Sequence, residues 1–98
     1  MTPEFEWDRQ KEAKNLKIHG VAFDEALNVF ADPLANIFDD PDHSDDEPRE
    51  LIIGQSVQQR LLIVSFADRG RRIRLISARQ TTARERRDYE QANPKRST

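Results

Sequence analysis

A chain of 98 residues with 35% charged and 36% hydrophobic side chains has room for one domain, a modest core and much solvated charge. The absence of cysteine excludes a disulfide framework and a thiolate metal centre, and two histidines, His19 and His43, are too few to suggest a metal site; no metal and no cofactor are expected. No apolar run resembles a secretion signal or is long enough to cross a bilayer, so the expected location is the cytoplasm, away from any membrane.

Glu4-Phe5-Glu6-Trp7 alternates polar and apolar residues, the pattern of a short half-buried strand. Asp8 is placed to cap a helix over Arg9–His19, whose sparse apolar residues (Ala13, Leu16, Ile18) sit among Lys11, Lys14 and Lys17 and which Gly20 stops. Phe23, Ala26, Leu27 and Phe30 recur at i, i+3, i+4 and i+7, so a second helix with a buried stripe is expected over Asp24–Ala31. Asp32-Pro33 ends it, because proline disfavours helical geometry in the residue before it. Leu34–Phe38 is a candidate strand, and Asp39–Glu50, acidic and with two prolines, reads as a loop long enough to be mobile or functional.

Three strands follow, Leu51–Gln55, Leu61–Ala67 and Arg71–Ala78, with connections short enough for hairpins and hence for antiparallel pairing. Thr82 and Glu85, three residues apart, form a capping box that opens a helix over Ala83–Ala92. Residues 93–98 are a polar tail to a single domain over residues 1–92. The expected fold class is α+β: a small antiparallel sheet with the N-terminal helices packed on one face, and a C-terminal helix. Trp7, Phe23, Leu27, Phe30, Ile63, Ile73 and Leu75 should form its core, all helices lying on one face, with Arg72 and Arg74 on the other, toward solvent or a partner.

Charge is distributed unevenly. Residues 1–50 hold 14 acidic and 5 basic side chains, a net of −9, and residues 51–98 hold 4 and 11, a net of +7. The split reads either as a basic surface suited to a polyanion or as two halves that attract each other. Arginine is densest over residues 71–90, where a strand end meets a helix start, and guanidinium groups match phosphate bidentately.

An ordered set of short motifs spans residues 4–90: Phe5-Glu6-Trp7-Asp8, Asn15-Leu16, His19-Gly20-Val21, Val29-Phe30-Ala31-Asp32-Pro33 and Asp40-Pro41-Asp42-His43-Ser44. It continues through Gly54, Arg60-Leu61-Leu62, Arg72-Ile73-Arg74 and Ile76-Ser77-Ala78-Arg79 to Glu85 and Tyr89. The set resembles the BrnT toxins of type II toxin–antitoxin systems. It departs from their pattern where a lysine usually precedes the histidine: Ile18 stands there, with Lys17 one place earlier. The resemblance implies a RelE-like ribonuclease fold and RNA cleavage that arrests translation. It also implies neutralisation by a BrnA-like antitoxin with a ribbon-helix-helix domain, so that DNA is met only through the antitoxin.

Metal-independent RNA cleavage needs a base for the 2′-hydroxyl, charge stabilisation at the phosphorane and an acid for the 5′-oxygen. Arg74 and Arg79 suit the middle task, although Arg74 equally fits a solvated strand position. His19 is the acid–base candidate, or else a cation placed by the dipole at a helix end. Glu47 in the acidic loop is a second base candidate, and Tyr89 stacks on a base, donates a proton or anchors the last helix. Lys17, Arg60, Arg72, Arg84 and Arg87 complete the expected RNA-binding set. A non-catalytic nucleic-acid-binding module and a protein-interaction module remain the rival readings.

Overall fold

The computed structural model describes residues 4–40 and 48–93; the base candidate Glu47, His43 and most of the polar tail lie outside the described residues. Its elements run β1 (Glu4–Glu6), α1 (Arg9–His19), α2 (Phe23–Ala26), a 3-10 segment (Leu27–Ala31), β2 (Asn36–Asp39), β3 (Glu50–Gln55), β4 (Leu61–Asp68), β5 (Arg72–Gln80) and α3 (Ala83–Ala92). They build one five-stranded sheet in the order β1-β5-β4-β3-β2. β2 to β5 pair antiparallel in turn, β3–β4 and β4–β5 through the short connections expected of hairpins. β1 instead pairs parallel to β5, Phe5 opposite Ile73, which makes the sheet mixed at that edge.

Helix ends follow local chemistry. The Asp8 carboxylate accepts from the backbone N–H groups of Gln10 and Lys11, and Gly20, at φ 69°, donates its N–H to the Leu16 carbonyl in a left-handed cap. The second helix differs from the expected regular one: after a single α turn it tightens to 3-10 geometry. With three residues per turn, Phe23, Ala26 and Val29 align and all three are fully buried, whereas Leu27 and Phe30 are half-buried.

The main core lies between this segment and one sheet face. Leu62, Val64 and Phe66 of β4, Ile52 of β3 and Leu75 and Ala78 of β5 meet Val21, Phe23, Ala26 and Val29 there. Edge-to-face rings extend it, Phe30 standing 5.0 Å from Phe5 and 5.1 Å from Phe66, with Trp7 5.9 Å from Phe23. Gly54 lets the 3-10 segment come close, since a Cβ there would stand 3.0 Å from side-chain atoms of both Val29 and Ala35.

Not all helices share this face. Leu61 and Ile63 alternate with Leu62 and Val64, so they point the other way, and there they cluster with Ile53, Leu51 and Tyr89 of α3. Ile63 therefore belongs to a second, smaller core, and α3 covers the face opposite α1 and α2. The physical reason is Tyr89, a ring 3% exposed that needs apolar cover and finds it on the odd-numbered side of β3 and β4.

One irregularity decides how β5 is presented. Ser65 pairs with Ser77 and Phe66 with Leu75, leaving Ile76 as the extra residue of a bulge. Arg72 and Arg74 lie opposite in parity to Leu75, and beyond the bulge Ser77 and Arg79 lie opposite in parity to Ala78. All four thus project from the α3 face.

Candidate functional site

Helix α1 carries Lys11, Lys14, Asn15, Ile18 and His19 along one side, at i, i+3, i+4, i+7 and i+8. Asn15 fixes that side against β5. Its amide nitrogen donates to the carbonyls of Val21 (2.9 Å) and Ala78 (2.8 Å), and its oxygen accepts from the Ala78 N–H (3.0 Å). A side chain thereby satisfies the β5 edge beyond the last residue that β1 covers. Between the two elements opens a cleft of about 300 Å³ lined by Lys11, Lys14, Asn15, Ile18, His19, Arg49, Ile76 and Ser77. Among the described residues no carboxylate lines it, and Lys11, Lys14 and Arg49 have no ion-pair partner. Three permanent cations and an exposed imidazole around one opening form a site of positive potential suited to a phosphate.

The bulge places Arg74 and Arg79 on the same sheet face as Ser77, but their ion pairs draw them apart. Arg74 donates to Glu6 on β1 (3.0 Å), where Arg69 and Arg72 also pair with that carboxylate. The hydrogen bond from Arg74 lowers the pKa of Glu6. Arg79 holds Glu85 with two parallel hydrogen bonds, 2.8 and 2.9 Å, which tie the end of β5 to the first turn of α3. That fork, helped by the Thr82 N–H of the capping box, holds the Glu85 carboxyl down at about 2. The Arg79 guanidinium is raised by the same partner.

The other candidates fall in different places. Arg60 is engaged internally: its guanidinium bonds both oxygens of the buried Glu25 and the Gly20 carbonyl, while Ser56 donates to Glu25 at 2.7 Å. Tyr89 is buried and donates its hydroxyl hydrogen to the Leu34 carbonyl (3.2 Å), fastening α3 to the turn before β2. Lys17 is exposed on α1, and Arg84 and Arg87 are exposed on α3. The structure thus brings His19 together with Lys11, Lys14 and Arg49, which reasoning on arginine density passed over. The helical spacing from Lys11 to His19 was the available signal; nothing in the sequence announces that Arg49 reaches the same opening.

A small α+β domain with a cation-lined cleft on its sheet belongs with proteins that act on a polyanion, and comparison with known proteins gives the class as ribonuclease toxins. The model for the ribonuclease toxin BrnT of type II toxin–antitoxin systems matches residues 7–85, and the chain belongs to that family. The crystal structure of the Brucella abortus ribonuclease toxin BrnT superposes with a TM-score of 0.64 at 25% identity, covering 83% of this chain and 99% of that one. No curated protein matches. The protein is therefore an endoribonuclease toxin whose substrate is RNA and whose partner is an antitoxin.

Proposed function

We propose that the α1–β5 cleft is where RNA is cleaved, and that cleavage needs no metal. The observation that carries this is the convergence of His19, Lys11, Lys14 and Arg49 on one opening that, among the described residues, no carboxylate lines. A phosphodiester seated there has cations around its non-bridging oxygens, where the phosphorane gains negative charge. The 2′-oxygen loses its proton to a base and attacks phosphorus; the 5′-oxygen leaves with a proton from an acid, giving a 2′,3′-cyclic phosphate and a 5′-hydroxyl. His19 is the imidazole placed for one of these transfers. Arg79 and Arg74 flank the opening on the same strand face and hold neighbouring phosphates once RNA competes with Glu85 and Glu6. Arg72, Lys17, Arg84 and Arg87 supply outer contacts. Arg60, bound to Glu25, supports the fold instead, and Tyr89 serves as an anchor.

In the same reading the fold is RelE-like, the toxin acts in the cytoplasm, and its antitoxin is BrnA-like. A ribbon-helix-helix domain on that antitoxin makes the only contact with DNA.

The test is cleavage of single-stranded RNA by purified protein with and without EDTA, beside His19→Asn and Arg49→Ala. Cleavage should persist in EDTA with the cyclic-phosphate ends described. His19→Asn should slow it by roughly 10²–10⁴-fold, the usual worth of a positioned acid or base. Arg49→Ala should cost about 10²-fold, as for loss of one charge-stabilising contact. Both side chains sit at the surface of the cleft, so the melting temperature should not move. Full activity in both variants would remove the cleft as the site.

A further inference from the structure

A second concavity lies on the α3 face, about 340 Å³ in volume, between α3 and strands β2 and β3. Its floor is apolar, made by Leu51, Ile53 and Ile63, and the Phe38 ring, 46% exposed, stands at its open side. Two polar side chains face into it from opposite walls, Asn36 on β2 and Asp88 on α3, and among the described residues neither has a hydrogen-bond or ion-pair partner. Arg79 lines its remaining edge. Ser77, which lines the cationic cleft, is two residues from Arg79 on the same strand face, about 7 Å away at the usual strand rise. The two concavities are therefore neighbours along β5, separated by a span that one nucleotide bridges.

We propose that this groove is a nucleobase pocket, filled by the base next to the scissile phosphate, and that it favours guanine. The proposal rests on the reading of the cleft as the cleavage site, because continuity with that cleft is what assigns the occupant. A flat molecule with an apolar face and a polar rim fits an apolar floor between two polar walls; phosphate does not, since Glu85 and Asp88 both line the groove. Phe38 supplies the stacking surface, as aromatic side chains do for unpaired RNA bases. The Asp88 carboxylate accepts and cannot donate, so it selects an edge with adjacent N–H donors. Guanine offers two, N1–H and the N2 amino group, to both carboxylate oxygens, and its O6 can take the Asn36 amide. Uracil presents one N–H flanked by two carbonyl oxygens that a carboxylate repels.

The experiment titrates GMP and UMP into the full-length protein, read by the methyl resonances of Leu51, Ile53 and Ile63, and sequences the cut sites on a mixed RNA. The three variants are Phe38→Ala, Asp88→Asn and Asp88→Glu. GMP should bind at least about ten-fold more tightly than UMP, and Phe38→Ala should weaken it roughly ten-fold, within the range for loss of one stacked base. Asp88→Asn should erase the preference in binding and at cut sites while RNA is still cleaved; Asp88→Glu should keep part of it. Phe38 and Asp88 are surface side chains, so the variants fold. Equal binding of GMP and UMP overturns the proposal. So does an antitoxin-derived peptide that shifts these methyls when neither nucleotide does, or cleavage whose base preference survives Asp88→Asn. If the wild type cleaves no RNA, the reading of the cleft fails, and the mononucleotide titration still decides the groove on its own.

Discussion

Replacing Asn15 by leucine would leave the Ala78 N–H and two carbonyls, those of Val21 and Ala78, inside the protein without partners. Each orphaned buried group typically costs about 1–3 kcal/mol, and some regain water on relaxation, so Asn15→Leu should destabilise by roughly 3 kcal/mol in urea unfolding. It should also lower activity, because α1 carries Lys11, Lys14 and His19 to the cleft. The Arg79–Glu85 fork makes a different prediction. The folded pKa of Glu85 is about 2 against 4.5 for the free group. A depressed carboxylate contributes stability that is fully present above its unfolded pKa and is lost as pH falls through the folded value. The destabilisation caused by Glu85→Gln should thus be largest near neutral pH and shrink as pH drops from 4.5 toward 2. Glu6 and Glu25 are lowered in the same sense by Arg74 and Arg60, so the wild type should lose melting temperature over an acid range that Glu85→Gln only partly removes. An undiminished difference at the acid end would contradict the ion-pair account.

Among the elements, those marked by strong local chemistry were legible in the sequence. Asp8, Gly20 and the Thr82–Glu85 capping box placed the bounds of α1 and α3 correctly. Alternation found β3, β4 and β5, whose antiparallel pairing the short connections required. Three features were not legible. The 3-10 continuation of α2 depends on how Val29 packs over Gly54, a tertiary fit with no local signature. The Ile76 bulge is equally silent, yet it decides which face β5 presents: in a regular strand Arg74 and Arg79, five residues apart, would face opposite ways. The face chosen by α3 could not be read from a helix with one large ring. The role of that ring is testable. Tyr89→Phe should keep RNA cleavage while losing about 1 kcal/mol, the net worth of one hydrogen bond. Tyr89→Ala should free α3 and raise amide exchange over residues 83–92. A large loss of activity in Tyr89→Phe without loss of stability would return the hydroxyl to the reaction.

At the scale of the whole molecule, the charge split is in part a mutual attraction of the two halves, whereas the cations that line the cleft, Lys11, Lys14 and Arg49, come from the acidic half. Four arginines of the basic half pair with acids of the first: Arg60 with Glu25, Arg69 and Arg74 with Glu6, and Arg72 with Glu4 and Glu6. These ties join β1 and α2 to the later strands and leave less free cation than composition suggests. Among the described residues the cations without an ion pair include Lys11, Lys14 and Arg49 at the cleft, Arg84 and Arg87 on α3, and Arg9, Lys17 and Arg71 elsewhere. On the reading of the cleft as the cleavage site, covering that opening is the direct way to silence the enzyme. An antitoxin that works by occlusion should therefore bring acidic side chains over the cleft and the flank of α3, rather than over the ion-paired edge at β1. Charges placed this way act chiefly on encounter, so the association rate should fall roughly ten-fold or more from low to high salt, with dissociation nearly unchanged. Lys11→Glu with Lys14→Glu should slow association further, whereas Arg72→Glu, at the already neutralised edge, should do so much less. Stopped-flow association of each variant across a salt series, with hydrogen exchange over residues 9–19 and 83–92 in the free and bound toxin, measures both effects. A salt-independent rate, or protection appearing only around β1, would place the antitoxin elsewhere and require that it act on the shape of the cleft from a distance.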